Sequence, residues 1–245
     1  MASVREHYDG HLGPIYGWML GDFDAAKEAA RAELRAAGLH DGSGRVAVDL
    51  GAGVGAHAIA LAEARYSVTA LDTCAQLLEE LRAHDGNRAI RCVHDDVLHL
   101  RRHCDVPVDV IVCMGDTLTH VASMRSVEQL FQAISEVLKP GGIFVATFRN
   151  YGARALEGVG RFVPVRQDDR RILTCFLEYG ETTVTVYDLL HERGEAGWTL
   201  RVSSYSKLRL SPEWAQSTLN RFGLAARVET APNGMIRLVA TSDRG

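Results

Sequence analysis

Three glycines and an aspartate stand at spacings that suit the binding of a ribose- or phosphate-bearing cofactor. Gly51, Gly53 and Gly55 alternate with other residues directly after the apolar run Arg45–Leu50. Glycine lets the backbone turn sharply and approach a ligand with no Cβ in the way, and the amides at a helix start attract an anion. Asp72 closes the next apolar run, where a carboxylate can accept hydrogen bonds from both hydroxyls of a ribose. The pattern predicts a nucleotide-type cofactor over this loop rather than a merely tight turn between strand and helix.

The glycine loop by itself fits two families. The segment from Gly51 to Ala56 satisfies the G-x-G-x-x-G/A pattern of dinucleotide-binding dehydrogenases. Asp49 extends it to D-x-G-x-G-x-G, which resembles the first motif of class I S-adenosylmethionine-dependent methyltransferases. The turn Lys139–Gly142 resembles the turn before strand five of that family. The chain is therefore identified as a member of it, with an NAD-dependent oxidoreductase and a non-catalytic regulatory protein that binds S-adenosylmethionine as alternatives.

The resemblance implies S-adenosylmethionine as cofactor, with S-adenosylhomocysteine as product, and no metal. Asp49 is expected to bind the methionine end, directly or through water. In the motif around Asp95 and Asp96, one carboxylate accepts from the adenine amino group, and Asp96 fits the spacing to Leu100 better. The amide of Val97 would then donate to the ring. The predicted cofactor-binding residues are Asp49, Gly51, Ala52, Gly53, Gly55, Asp72, Thr73, Asp96, Val97, Met114 and Gly115.

The end of the fourth apolar run should face the methyl acceptor, because ligands of open parallel sheets lie beyond the carboxyl ends of the strands. Residues 113–121 lack the (D/N)-P-P-(Y/F) tetrapeptide of amino-methylating nucleic-acid enzymes. They resemble the loop of small-molecule N-methyltransferases of the glycine/sarcosine and amino-sugar kinds, in which His120 matches a histidine. The aromatic segment around Tyr16 is similar to the N-terminal segment of the amino-sugar enzymes. The resemblance therefore implies a small-molecule acceptor with an N or O nucleophile.

His120 and Tyr16 are the predicted catalytic residues. His120 suits the role of a general base because an unperturbed imidazole titrates near neutrality. It also suits orientation of the acceptor, or a cap on the helix near Ser123. Tyr16 fits either a ligand contact or packing of a lid. The predicted substrate contacts are Tyr8, Trp18, Arg149 and Tyr151, of which Trp18 also fits lid packing.

Apolar runs that alternate with helical stretches predict how these residues are positioned. The runs of strand length are Arg45–Leu50, Tyr66–Leu71, Ala89–Val93, Val108–Met114 and Ile143–Phe148. The helical stretches between them are His57–Ala64, Thr73–Ala83 and Val127–Leu138. This alternation implies right-handed crossovers and a parallel sheet. With a helix that opens at Ser211 and two closing strands, we predict an α/β fold, a Rossmann-like doubly wound seven-stranded sheet with an antiparallel last strand.

Two further parts flank this predicted core, which comprises residues 41–150 and 211–245. Residues 1–40 form a predicted helical lid that contains the helix Asp24–Ala37. Residues 151–210 form a predicted insertion of antiparallel strands, namely Arg171–Glu178, Thr182–His191 and Trp198–Leu210. Because long strands otherwise leave an exposed edge, we expect the insertion to cover the acceptor site or to form a homodimer interface.

Composition limits the class of partner and the location. The formal net charge is −4 with no basic block, whereas nucleic-acid-binding proteins normally carry a basic face. The first ten residues lack the apolar stretch that is typical of a signal peptide, and no apolar run approaches membrane-spanning length. The five cysteines have irregular spacing, which predicts neither a disulfide framework nor a zinc site. We therefore expect a cytoplasmic protein that acts on a small molecule, without nucleic-acid or membrane partners.

Overall fold

The computed structural model describes residues 3–153 and 155–243, and its centre is a sheet of seven strands. The strands in this part of the chain are β1 (Val46–Leu50), β2 (Ser67–Asp72), β3 (Arg91–His94), β4 (Val108–Cys113), β5 (Leu138–Phe148), β6 (Phe162–Gln167), β7 (Arg171–Tyr179), β8 (Thr183–Gly194), β9 (Gly197–Leu208), β10 (Leu224–Thr230) and β11 (Ile236–Ser242). The α-helices are α1 (Val4–His7), α2 (Tyr16–Leu20), α3 (Phe23–Ala36), α4 (Ala56–Glu63), α5 (Ala75–Asp85), α6 (Met124–Val137) and α7 (Pro212–Arg221).

The order of the seven-stranded sheet is β3-β2-β1-β4-β5-β11-β10. The five strands β1 to β5 pair with one another in parallel. In contrast, β11 runs antiparallel to both of its neighbours, β5 and β10. Leu50, Leu71, Ile111 and Phe144 are fully buried in these strands, as expected for a sheet covered by helices on both faces. The predicted Rossmann-like sheet with an antiparallel last strand is confirmed.

The element boundaries differ from the predicted ones where backbone geometry intervenes. β3 begins at Arg91, because Asn87 and Ala89 take left-handed φ angles of 72° and 62° in the preceding turn. β5 already begins at Leu138, which pairs with Val108 before a shift in register.

The residue that caps the N-terminus of α6 shows whether His120 has that role. The Ser123 hydroxyl accepts a hydrogen bond from the amide of Ser126 at 3.1 Å, which satisfies an otherwise unpaired amide of the first turn. Ser123 is therefore the cap of this helix, and the interpretation of His120 as its cap is wrong.

The insertion forms a second, antiparallel sheet in the order β6-β7-β8-β9. Sequence analysis found three of its strands and missed β6, whose residues are mostly exposed and whose Pro164 lies at an irregular register. Side chains on one face, such as Leu173 and Leu190, are buried against the N-terminal segment. On the other face of edge strand β9, exposed apolar side chains alternate with polar ones: Trp198, Leu200 and Val202.

The N-terminal segment, residues 3–20, packs against this second sheet. His7 is fully buried, with Nε2 2.9 Å from the Asp188 carboxylate and Nδ1 2.8 Å from the Ser203 hydroxyl. Leu12 and Ile15 are buried in the same contact region. These contacts hold the segment across the end of the central sheet. In residues 3–153 and 155–243, no helix has the length and apolar character needed to cross a membrane.

Candidate cofactor and acceptor site

A cavity of about 830 Å³ opens at the carboxyl ends of the central strands, between the glycine loop, the N-terminal segment and the second sheet. Most of the predicted cofactor-binding residues line it: Gly51, Ala52, Gly53, Asp72, Thr73, Asp96, Val97, Met114 and Gly115. Tyr8, Tyr16 and His120 line it as well. The structure therefore brings these predicted cofactor and acceptor residues to one space.

The glycine loop depends on two positions where a side chain would not fit. Gly51 has a φ of +74°, and a Cβ there would lie 2.5 Å from the Thr117 side chain. Gly55 has a φ of +92°, and its Cβ would lie 2.4 Å from Leu81 Cγ on α5. Gly51 thus keeps the loop open toward the cavity. Gly55, predicted to bind the cofactor, lies between the wall residues Val54 and Ala56 and allows close packing of α4 on α5.

Asp72 is held in a fixed orientation at the end of β2. Its Oδ2 accepts from the Gly53 amide and its Oδ1 from the Cys74 amide, each at 2.8 Å. Burial raises the pKa of Asp72, while these backbone hydrogen bonds oppose the shift. Each oxygen keeps further lone-pair capacity, so the carboxylate can accept from a pair of ligand hydroxyls.

The adjacent aspartates after β3 have different partners. The Asp95 carboxylate accepts from His99 Nδ1 and His103 Nε2, each at 2.7 Å, and these contacts lower its pKa. Asp96 begins the following 3₁₀ turn, with Oδ1 2.9 Å from the Leu98 amide, and it lines the cavity. Asp95 is thus occupied within the protein, and Asp96 is the carboxylate that faces the cavity.

Asp49 lies beneath the glycine loop rather than on the cavity wall. It is 1% exposed, and its Oδ2 has no hydrogen-bond partner among the residues described. Burial raises the pKa of Asp49 to about 6. This unpaired oxygen can accept a hydrogen bond from a donor group of a ligand bound above the loop, either directly or through a water molecule.

The acceptor end of the cavity has an aromatic wall. The Tyr8 ring lies 5.7 Å from the His120 ring and 6.2 Å from the Tyr16 ring, between centroids. His120 Nε2 is buried without a hydrogen-bond partner in the described part of the chain. Burial, assisted by the positive charge of Lys207, lowers the pKa of His120 to about 3. The imidazole is therefore neutral near pH 7 and presents an unsatisfied ring nitrogen.

Comparison with known proteins connects this geometry to a family. Residues 47–142, which contain the glycine loop and β1 to β4, match the model of a methyltransferase domain. A glycine/sarcosine N-methyltransferase from Aphanothece halophytica is 27% identical over 135 residues, 54% of this chain and 51% of that protein. A cypemycin N-terminal methyltransferase from a Streptomyces species is 32% identical over 170 residues, 63% of this chain and 66% of that protein. Residues 47–142 therefore belong to this family of methyltransferase domains.

Solved structures of methyltransferases share their fold with almost all of this chain. The CcbJ methyltransferase from Streptomyces caelestis aligns with a TM-score of 0.79 over 97% of this chain and 98% of its own, at 20% identity. An amino pentose methyltransferase from Micromonospora echinaspora aligns with a TM-score of 0.75 over 94% and 96%, at 19% identity. At such identity the alignments establish the fold. In sequence, the chain spans about half the length of the glycine/sarcosine relatives that it matches.

Three predicted substrate contacts lie elsewhere than expected. The Arg149 side chain is 63% exposed and lies outside the cavity wall. The Tyr151 ring is buried outside it, and its hydroxyl donates to Asp116 at 3.2 Å. The Trp18 indole donates to Asp168 at 2.6 Å, so it joins the N-terminal segment to the second sheet. The structure thus does not bring Arg149, Tyr151 and Trp18 to the cavity wall, and the position of Trp18 fits the lid packing that the sequence also allowed.

Sequence reasoning missed a buried ion pair beside the cavity. Lys207 Nζ lies 2.5 Å from Asp116 Oδ2, and Lys207 lines the cavity. The Asp116 carboxylate also accepts from the Arg149 amide at 2.9 Å. The alternation of β9 offered a signal, because Lys207 shares its face with the buried Tyr205.

The cavity fits the family cofactor, S-adenosylmethionine. A Cβ on Gly53 would lie 3.8 Å from the Tyr16 ring, so the glycine leaves free the space between loop and N-terminal segment. The carboxylates of Asp72 and Asp96 on the cavity wall can accept hydrogen bonds from a ligand, and Asp49 Oδ2 lies unpaired beneath the loop. Chemistry and space therefore both suit a ligand with an amino group, a ribose and an adenine.

Proposed function

We propose that this chain transfers a methyl group from S-adenosylmethionine to the nitrogen of a small-molecule amine. The observation that carries the proposal is that His120 lines the same cavity as the glycine loop and is a neutral imidazole whose buried Nε2 has no partner among the described residues. An amine N–H can donate to such a nitrogen. Among the relatives named above are a glycine/sarcosine N-methyltransferase and an N-terminal methyltransferase, which favours this activity over that of an NAD-dependent oxidoreductase.

The assigned cofactor contacts follow from the cavity wall. In this proposal Asp72 accepts from the ribose hydroxyls, Asp96 accepts from the adenine amino group, and the Val97 amide donates to the ring. Gly51 to Gly53 lie against the methionine end, and Asp49 acts from beneath the loop. Thr73, Met114 and Gly115 complete the wall around these groups.

The bound cofactor supplies a methyl carbon made electrophilic by its positively charged sulfur. The protein has then to align the acceptor and exclude water, which can account for much of the acceleration. His120 Nε2 orients the acceptor nitrogen. Burial raises the pKa of Tyr8 and of Tyr16, so both hydroxyls remain neutral donors beside it. The second sheet closes the acceptor side through Thr183, Ser206, Lys207 and Leu208.

A methyl-transfer screen tests the proposal. The protein is incubated with S-adenosylmethionine and matched amines, carboxylates, phenols and sugars, and products are identified by mass spectrometry. We expect a gain of one methyl group on an amine, with S-adenosylhomocysteine formed in equal amount. Transfer only to oxygen nucleophiles would contradict the assignment of nitrogen. Binding of S-adenosylhomocysteine with no transfer to any class would favour the regulatory alternative, and binding of NAD instead would favour the oxidoreductase.

We further infer that two copies associate through the outer face of the second sheet. Trp198, Leu200 and Val202 are each about half exposed on one face of edge strand β9, and exposed edges and apolar patches favour association. Light scattering should give the mass of a dimer for the native chain and of a monomer for Leu200→Asp, with Val106→Asp as an exposed control outside this face. A monomeric native chain would contradict the inference.

The five free cysteines suit the expected cytoplasmic location, which fractionation of the source cells tests.

A further inference from the structure

The charges on the cavity wall are unevenly distributed between its two ends. The charged residues on the wall are Arg5, Glu33, Asp72, Asp96 and Lys207. Asp72 and Asp96 lie at the strand ends assigned to the cofactor. Glu33 is bound to His57 Nε2 at 3.0 Å, and Arg5 lies 3.4 Å from the ring of His94 at the end of β3. Lys207 is the charged residue that faces the acceptor end.

Lys207 is held rigidly in this position. Its side chain is 10% exposed, and Nζ contacts Asp116 Oδ2 at 2.5 Å. The Tyr151 and Tyr205 rings lie 5.6 Å and 5.7 Å from Nζ. An ammonium carries three N–H donors, of which Asp116 Oδ2 accepts one and the Tyr151 hydroxyl a second. The third donor can serve a ligand in the cavity that Lys207 lines.

Fold stability gives little reason for this ion pair. Taking two charges out of water is costly, and apolar residues of similar volume are often as stable or more stable. Asp116 also takes a left-handed φ of 83°, an uncommon conformation for a residue other than glycine. A buried lysine in a strained setting beside a reaction cavity points to a role in binding.

We propose that Lys207 is a specificity-determining residue that binds an anionic group on the acceptor, so that the acceptors are amines bearing a carboxylate. This inference rests on the proposed N-methyltransferase function. Lys207 offers an N–H donor and a positive charge, and His120, a neutral imidazole with an unpartnered Nε2, lines the same cavity. Together they complement an uncharged amine joined to an acid. Asp116 and Tyr151 act as positioning residues through their contacts with Lys207.

Binding of matched acid and amide probes tests the proposal independently of turnover. The probes are sarcosine with sarcosinamide, N-methylalanine with its amide, and 4-aminobutyrate with its amide. Each is titrated calorimetrically into the protein, with and without S-adenosylhomocysteine, and each Kd is expressed per neutral amine at the working pH, because an acid and its amide differ in amine pKa. We expect at least one acid to bind about 10- to 100-fold more tightly than its amide, the usual effect of a charge-assisted hydrogen bond. In Lys207→Met this ratio should fall to about one.

Two further variants keep the test interpretable. Lys207→Met leaves Asp116 buried and unpaired, so the double variant Lys207→Met, Asp116→Asn removes both charges and provides a folded form without the cation. Lys139→Met is the matched control, because Lys139 Nζ pairs with Asp109 at 2.7 Å and lies outside the cavity. We expect the control to keep the preference for the acid and the double variant to lose it.

The outcomes separate this inference from the proposed function. Equal binding of acid and amide in every pair, or an acid preference that survives in the double variant, would overturn the role of Lys207. Methyl transfer to amines without preference for the acids would also overturn it, while leaving the N-methyltransferase proposal in place. Loss of the acid preference in the double variant, with S-adenosylhomocysteine affinity unchanged, supports the role.

Discussion

Replacing His120 by alanine or by asparagine separates two roles that the imidazole can have beside the acceptor nitrogen. As a general base it would take a proton from a protonated amine before methyl transfer. As an orienting group it would accept a hydrogen bond from an amine that is already neutral. The structure distinguishes these roles through the surroundings of the ring, since burial and Lys207 lower its pKa from 6.5 to about 3.

The size of this shift makes the base role unfavourable. An alkylammonium with a pKa of about 10 would transfer its proton to His120 uphill by roughly seven pK units, or about 10 kcal/mol. In solution at pH 8, on the order of 1% of such an amine is already neutral, so that selecting the neutral form costs only about 3 kcal/mol. Binding of the neutral amine from solution is therefore the easier route, and we expect His120 to orient it.

We expect His120→Ala to lower kcat/KM about 5- to 30-fold, the effect of one lost hydrogen bond of about 1–2 kcal/mol. His120→Asn can retain an acceptor in the side chain and should lose less. Both variants should keep the native pH profile, which rises with the neutral fraction of the acceptor. The assay is initial methyl-transfer rate against pH from 6 to 10 at saturating cofactor, with exposed His40→Ala as control.

Two results would refute this reasoning. One is a loss of 10²–10⁴-fold in His120→Ala that recovers at high pH, which is the behaviour of a lost general base. The other is an inflection between pH 6 and 7 in the native profile that disappears in His120→Ala. Either would mean that the ring is protonated far more easily than its burial implies. Melting temperature and S-adenosylhomocysteine affinity of each variant show whether the fold is intact.

Three further predictions concern the cofactor side. Asp72→Ala should weaken S-adenosylhomocysteine binding by about 1–3 kcal/mol in calorimetry, and unchanged affinity in the folded variant would contradict the ribose contact. In urea unfolding, Gly51→Ala should lower the free energy of unfolding by about 1–3 kcal/mol more than Gly141→Ala does. Both glycines have a positive φ, but only a Cβ at position 51 would meet a neighbour, the Thr117 side chain at 2.5 Å. Equal losses in the two variants would contradict this clash. Burial raises the pKa of Asp49 from 3.8 to about 6, so its ionised form is costly above pH 6 and protonation removes the cost below about pH 4. Asp49→Asn should therefore raise unfolding free energy by about 1–3 kcal/mol at pH 7 and by little at pH 4, while cofactor affinity falls; a gain that is the same at both pH values would contradict the assigned shift.

The sequence determined the parts of this protein that depend on local geometry. The glycine loop, with Asp72 at the end of the next strand, needs only backbone conformation and the alternation of strands and helices. Apolar runs in β1, β2 and β4 identified the parallel sheet, because strands covered on both faces leave little room for polar residues. β6 escaped detection because its residues are mostly exposed and carry no such pattern.

The tertiary structure decided the proposed acceptor side, which is assembled from distant parts of the chain. Tyr8, His120 and Lys207 meet only because the N-terminal segment, the end of β4 and strand β9 pack around one cavity. The low pKa of His120 arises from burial and from a charge 87 positions away in the sequence, so no local motif could reveal it. Arg149 follows β5 as its position suggested, yet its side chain turns to solvent. Local spacing fixes where the backbone goes, whereas long-range packing fixes which side chains face the acceptor and in what charge state.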